Sequence, residues 1–149
     1  MKISNILVAT DFSPSAARAV EMAADYARHF QAQLIILHAY RVDIPVASPL
    51  TGGGYVLPDG FFEQLAKEAR LRVEKVANEV AAKGVSAIGI AIDRHPATAI
   101  IDEAKARKVD LIVMGTRGLT GIKHLALGSV ADRVVRTAPC PVLTVNHDD

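Results

Sequence analysis

Residues 110–137 read DLIVMGTRGLTGIKHLALGSVADRVVRT: an apolar run, a connection holding Gly115, Gly118, Gly121 and Gly128, and a helical pattern. LIVM does not alternate with polar residues. A continuous apolar strand is buried on both faces, as in a parallel sheet between helices. Glycine carries a backbone entropy cost, so four in one connection call for a physical reason. A strand, a glycine-rich turn and a helix together make an anion site, because main-chain N–H groups converge there and the helix N-terminus carries partial positive charge. Gly128 has no side chain to block approach. Ser129 is expected to cap the helix and to donate its hydroxyl to a phosphate oxygen.

Outward from this stretch the pattern repeats. NILVAT (5–10), QLIILHAY (33–40) and PVLTV (141–145) are further apolar runs, and VSAIGIAI (85–92) alternates more. Between them lie helical periods. Ser13 is the expected N-cap with Pro14 in the first turn, followed by Ala16, Val20, Ala23, Ala24, Ala27 and Phe30 on the inner face. A second helix over 60–83 places Leu65, Ala69, Val73, Val76 and Val80 on one stripe, and Gly84 stops it. A third spans 97–107 with Ala97, Ile100, Ile101 and Ala104 inward; a fourth starts at Ser129 with Val130, Val134 and Val135 inward. Strands alternating with helices predict a doubly wound α/β fold, one domain over 1–149. The connection 40–60, YRVDIPVASPLTGGGYVLPDG, is long for a βα loop. It reads as a flexible loop loosest at Gly52–Gly54, with a lid or partner-binding flap as the alternative.

Composition excludes several classes. The net charge of +1 gives no electrostatic reason to expect nucleic acid or an anionic membrane as partner. Cys140 is the only cysteine, so neither an internal disulfide nor a Cys-based metal cluster is expected. No apolar run approaches bilayer length and the opening residues do not form a signal segment, so a cytoplasmic protein is expected.

The glycine spacing fails the commonest phosphate motifs. The Walker loop requires G-x4-G-K-[ST], but Thr120 and Lys123 stand where its second glycine would fall after Gly115 and Gly118. The dinucleotide fingerprint fails at Leu57 after Gly52 and Gly54. What stands is Gly115, two residues, Gly118, nine residues, then Gly128-Ser129. That pattern resembles the ATP-binding branch of the universal stress protein family. The opening KISNILVATDFSPSAARAVEMAADYA resembles that family's first strand and helix, and APCPVLTV its last strand. The resemblance spans essentially the whole chain and is weakest over 40–60.

The resemblance implies a five-stranded parallel sheet, order 3-2-1-4-5, with helices on both faces. Strands one and four are then neighbours whose connections leave to opposite faces, the switch point at which open α/β sheets bind ligands. By the same resemblance Gly115, Gly118, Gly128, Ser129 and Val130 surround the phosphates of ATP, and Ala9, Thr10, Asp11, Ala39 and Met114 line the nucleoside end. Arg117 lies within the motif and is the favoured phosphate cation over Lys123 and His124. Asp11 has its own case, since a carboxylate at a strand end accepts from ribose hydroxyls; the competing reading is an N-cap. Mg2+ is implied by the triphosphate, which brings its own waters. Homodimerisation through 141–145 is implied as well. Ala131 departs from some ATP binders, which carry a hydroxyl residue there.

The remaining candidates are plainer. His38 reads as a satisfied core histidine, His95 as a helix-start residue and Cys140 as a small apolar side chain. Three further functions are open at this point. One is a slow ATPase or phosphotransferase, for which no arginine finger or metal pair is visible. The second is an ATP-independent dimeric interaction module. The third is a phospho-accepting receiver domain using Asp93 and Thr116, which lacks the second acid after strand one and the lysine after strand five. An ATP-dependent stress or signalling module with an unidentified protein partner is the leading expectation.

Overall fold

The computed structural model of the protein describes residues 2–41, 57–117 and 127–146. Most of the 40–60 connection lies outside the described residues, as do Gly118, Gly121, Lys123 and His124. The elements alternate as β1 (Asn5–Ala9), α1 (Pro14–Phe30), β2 (Gln33–Tyr40), α2 (Phe61–Ala81), β3 (Ala87–Asp93), α3 (Pro96–Ala106), β4 (Leu111–Gly115), α4 (Ser129–Thr137) and β5 (Val142–Val145). All five strands are parallel, in the order β3-β2-β1-β4-β5.

Successive strand residues point to opposite faces, and here both faces are covered. Ile6, Val8, Leu34, Ile36 and Val113 pack under Ala19, Ala23 and Ala27 of α1 and Val73 of α2. Leu7, Ile35, Leu37, Ile112 and Met114 pack under Ala97, Ile100 and Ala104 of α3 and Val134 of α4. This explains the unbroken apolar runs: Ile6, Leu7 and Val8 are all fully buried. Strand β3 is an edge strand whose residues are mostly half-buried, hence its weaker pattern. At Gly89 an added Cβ would lie 2.8 Å from the Val73 carbonyl oxygen, so α2 sits there at backbone contact.

Local chemistry sets the helix ends. The Ser13 hydroxyl accepts from the Ala16 N–H at 3.2 Å and Pro14 opens α1. Gly84, at φ 83°, takes the chain out of the α2 end in a left-handed turn. Two side chains expected inside are outside. Phe30 ends α1 at 39% exposure and stacks on Tyr26, 6.1 Å between centroids. Val135 is 46% exposed, because the buried side of the short α4 is made by Ala131 and Val134. At the N-terminal edge of the sheet the Asp110 carboxylate accepts from the N–H groups of Ser4 (2.8 Å) and Asn5 (3.0 Å), tying β4 to the start of β1. Those two bonds hold its pKa below the ordinary carboxylate value.

Among the described residues no helix is long and apolar enough to cross a membrane. The strand order rules out the receiver reading. Receivers place strand three beside strand one, whereas here β3 lies at the sheet edge beside β2, leaving Asp93 two strands away from β1.

Candidate functional site

At the carboxyl ends of the central strands β1 and β4 part company, α1 covering one face and α4 the other. The gap is a cavity of about 270 Å³. It brings together Ala9, Thr10, Asp11, Ala39, Met114, Gly115, Arg117, Gly128, Ser129 and Val130. Gly118 lies outside the described residues. Ala16, Thr116, Pro96, Ile100 and Ala131 also line the cavity. Ala131 is expected there from its place beside the phosphate motif, whereas the sequence pattern does not point to Ala16, Thr116, Pro96 or Ile100 as nucleotide-site residues. The available signal was position, since Pro96 and Ile100 begin α3 at the same edge of the sheet as the glycine loop.

Part of the cavity wall is apolar, made by Ala39, Ile100, Met114 and Ala131. Its edge is main chain. The Leu37 carbonyl accepts from the Thr10 N–H (2.9 Å) on the β1 side of β2, and the Tyr40 carbonyl accepts from the Arg94 N–H (3.0 Å) on the β3 side. Peptide groups alternate sides along a strand, so Ala39 presents its N–H and C=O on the β1 side. The last β1–β2 pair is Ala9–Leu37. The Ala39 peptide edge therefore faces the space that β1 has vacated.

The β1 exit is a tight turn. The Thr10 hydroxyl accepts from the Phe12 N–H (3.1 Å), and the Asp11 carboxylate accepts from the Ser13 N–H (2.9 Å). Asp11 thus shapes the turn ahead of the helix, and Ser13, not Asp11, is the N-cap. Phe12 sits at φ 63°, a left-handed conformation that costs a side-chain-bearing residue roughly 1–3 kcal/mol.

The other rim is β4's exit. At Gly115 α1 comes close: an added Cβ would lie 2.5 Å from the Ser15 hydroxyl oxygen and 3.3 Å from the Ser15 main-chain carbonyl carbon. That hydroxyl is buried and has no hydrogen-bond partner among the described residues. The Thr116 N–H donates to the Val145 carbonyl (3.1 Å), and the Thr116 carbonyl accepts from the Gly128 N–H (2.7 Å), closing the base of the loop. A Cβ on Gly128 would press to 3.3 Å on that same carbonyl oxygen. Gly128 itself is the N-cap of α4, without a side-chain cap bond. This corrects the expected capping role of Ser129, which is the first helical residue. Ser129 lines the cavity instead, in a first turn whose N–H groups have no intrahelical acceptor. Arg117 is the one cationic side chain lining the cavity among the described residues.

Charge and protonation discriminate among the other candidates. His38 hydrogen-bonds the Thr10 carbonyl through Nδ1 at 2.9 Å. Burial lowers its pKa, the Thr10 bond opposes this, Arg72 adds to the lowering and Asp11 counters it. His95 is exposed, caps α3 without a side-chain bond and does not line the cavity. Cys140 is half-buried, and burial raises its thiol pKa, which makes it a poor nucleophile. Among the described residues no group of three or more His, Cys, Asp or Glu side chains could hold a metal ion. Asp11 is the only carboxylate lining the cavity among them.

The family profile described as the universal stress protein family matches residues 2–146. The chain belongs to the universal stress protein family. Universal stress protein YxiE of Bacillus subtilis is 40% identical over 146 residues, covering 95% of this chain and 98% of its own. The structure of universal stress protein UspA from Lactobacillus plantarum superposes with a TM-score of 0.77 at 28% identity, covering 97% of this chain and 99% of that one. A universal stress protein of Archaeoglobus fulgidus, solved in complex with dAMP, shares the fold with a TM-score of 0.67 at 24% identity, covering 97% of this chain and 99% of that one.

Proposed function

We propose that this universal stress protein binds ATP together with Mg2+ in the β1–β4 crevice. It acts there as a homodimeric, nucleotide-dependent stress and signalling module in the cytoplasm. One observation carries the reading: a single cavity is lined both by apolar side chains beside the Ala39 peptide edge and by Arg117, just after β4, with Gly128 and Ser129, which begin α4. An adenine ring is flat, apolar on its faces and carries a donor and an acceptor along one edge. The Ala39 C=O and N–H are complementary to that edge. Asp11, at the strand end between the two regions, suits ribose hydroxyls. The start of α4 and Arg117 suit phosphate charge. The Archaeoglobus fulgidus protein solved in complex with dAMP supports the reading at the level of the fold, as a protein of this architecture that holds an adenine nucleotide.

Mg2+ fits as part of the ligand. It keeps several waters and binds largely through phosphate oxygens, so it would need few protein ligands. Bound, the ion supplies charge neutralisation to the phosphates. Arg117 adds the protein's own positive charge. With one such cation and no metal-ligand cluster among the described residues, any hydrolysis is slow, well below the turnover of about 10 per second typical of enzymes. The homodimer forms along the last strand, expected at 141–145 and here Val142–Val145. Strand β5 lies at the sheet edge, and Val142, Leu143 and Thr144 are only half-buried. An unidentified partner reads the ligand-bound form.

The test is calorimetry of the purified chain with ATP, with and without Mg2+, beside an assay for nucleotide retained through purification. Micromolar binding, about −8 kcal/mol, supports the reading. No heat and no retained nucleotide turn it toward an ATP-independent dimeric interaction module.

A further inference from the structure

Behind the crevice, on the opposite side of the sheet from Ala39, three side chains converge on the β1 exit. His38 precedes Ala39 on β2 and so points to the other face. Its Nδ1 lies 2.9 Å from the Thr10 carbonyl oxygen. A carbonyl only accepts, so Nδ1 carries the proton and Nε2 does not need one. The Phe12 ring stands 4.5 Å from the His38 imidazole, and the Arg72 guanidinium of α2 lies 4.1 Å from the Phe12 ring centroid. Thr10 is thereby engaged on every polar group. Its N–H donates to Leu37, its hydroxyl accepts from Phe12 and its carbonyl accepts from His38. The left-handed backbone at Phe12 falls next to Asp11. Such strain persists only where the surroundings over-determine it, and the clamp of His38 and Arg72 on Phe12 supplies that.

We propose that His38 is a positioning residue for the nucleoside end of the site. Through the Thr10 carbonyl, and with Phe12 held between His38 and Arg72, it fixes the direction in which Thr10 and Asp11 enter the crevice. The proposal rests on the adenine-nucleotide reading above. It touches no ligand atom itself. What it contributes is pre-organisation: the turn is set before ligand arrives, so binding does not bear the entropy of ordering it.

Asn and Gln separate this role from plain core packing. An Asn side chain places an N–H where Nδ1 stands, a Gln side chain places one nearer Nε2, and Leu supplies bulk alone. His38→Asn is expected to keep ATP affinity near wild type. His38→Gln and His38→Leu are expected to weaken it about tenfold, equivalent to about 1.4 kcal/mol. Arg72→Met, on an exposed residue of α2 and therefore safe for folding, should weaken it about threefold, near 0.65 kcal/mol. Equal affinity in the three His38 variants and in Arg72→Met overturns the proposal. A second measurement needs no ligand: amide hydrogen exchange at Phe12 and Ser13, whose N–H groups are bonded inside the turn, should quicken in His38→Leu and not in His38→Asn. Unchanged exchange in both overturns the proposal even if wild type binds no nucleotide. Absence of wild-type binding alone counts against the functional reading instead.

Discussion

The two rims of the crevice are built on different principles. At the β1 exit, residues 10–13 are held by side chains: Thr10, Asp11 and Ser13 each accept a main-chain N–H, and His38 reaches in from β2. At the β4 exit, Thr116 and Gly128 are joined by main-chain bonds, and a glycine stands at each end. The first rim is held in place by hydrogen bonds of its own side chains and of His38. The second leaves first-turn N–H groups of α4 without intrahelical acceptors. A ligand that meets both finds a fixed template on one side and unsatisfied donors on the other.

The sharpest way to break the glycine rim is Gly115→Ala. With a Cβ 2.5 Å from the rotatable Ser15 hydroxyl oxygen and 3.3 Å from the Ser15 main-chain carbonyl carbon, it should cost about 2 kcal/mol of stability, the middle of the overpacking range. Adding Ser15→Ala should return about half, a coupling that a double-mutant cycle in urea measures. Additive losses would show that the contact is not what requires the glycine. Gly128→Val presses on the Thr116 carbonyl and fills the cavity edge. Calorimetry should show an ATP affinity loss of roughly thirtyfold, near 2 kcal/mol, with a much smaller change in melting temperature. The side-chain rim breaks more gently: Ser13→Ala removes the α1 cap and should cost about 1 kcal/mol in chemical denaturation.

The smallest effect concerns pH. His38 has a folded pKa below its ordinary 6.5, so the unfolded chain takes up the proton first. Its contribution to stability is complete above the unfolded value and is lost as pH falls toward the folded one. The urea midpoint should therefore drop modestly between pH 7.5 and 5.5, and His38→Asn should flatten that slope. Asp110, held below 3.8 by the Ser4 and Asn5 N–H groups, acts with the same sign in a separate, more acidic window. A slope unchanged in His38→Asn would assign the effect to another group.

Much of this molecule is legible from residue pattern alone. Strands β1, β2 and β4 announce themselves because both faces are buried, and Ser13-Pro14 announces the start of α1. Strand order is not carried by periodicity and came from resemblance. Phe30 and Val135 misled because a helical period counts residues that the sheet does not cover. Ile100 and Pro96 escaped notice as site residues because they reach the crevice from α3, over distances that no local pattern records. The same holds for the Ser15–Gly115 approach and the His38–Thr10 bond. A motif displays its glycines but not the side chain that comes close to one of them.

The Asp110 bonds to Ser4 and Asn5 span 106 and 105 positions of sequence. Beside them Ile6 pairs with Leu111, so the centre of the sheet is stitched from segments far apart in the chain. Contacts of such separation form late, since loop closure precedes their reward. During synthesis β1, α1, β2, α2 and β3 emerge with one flank of β1 waiting for β4. The crevice comes into being only when that vacancy is filled, so ligand capture would serve as a receipt for completed folding.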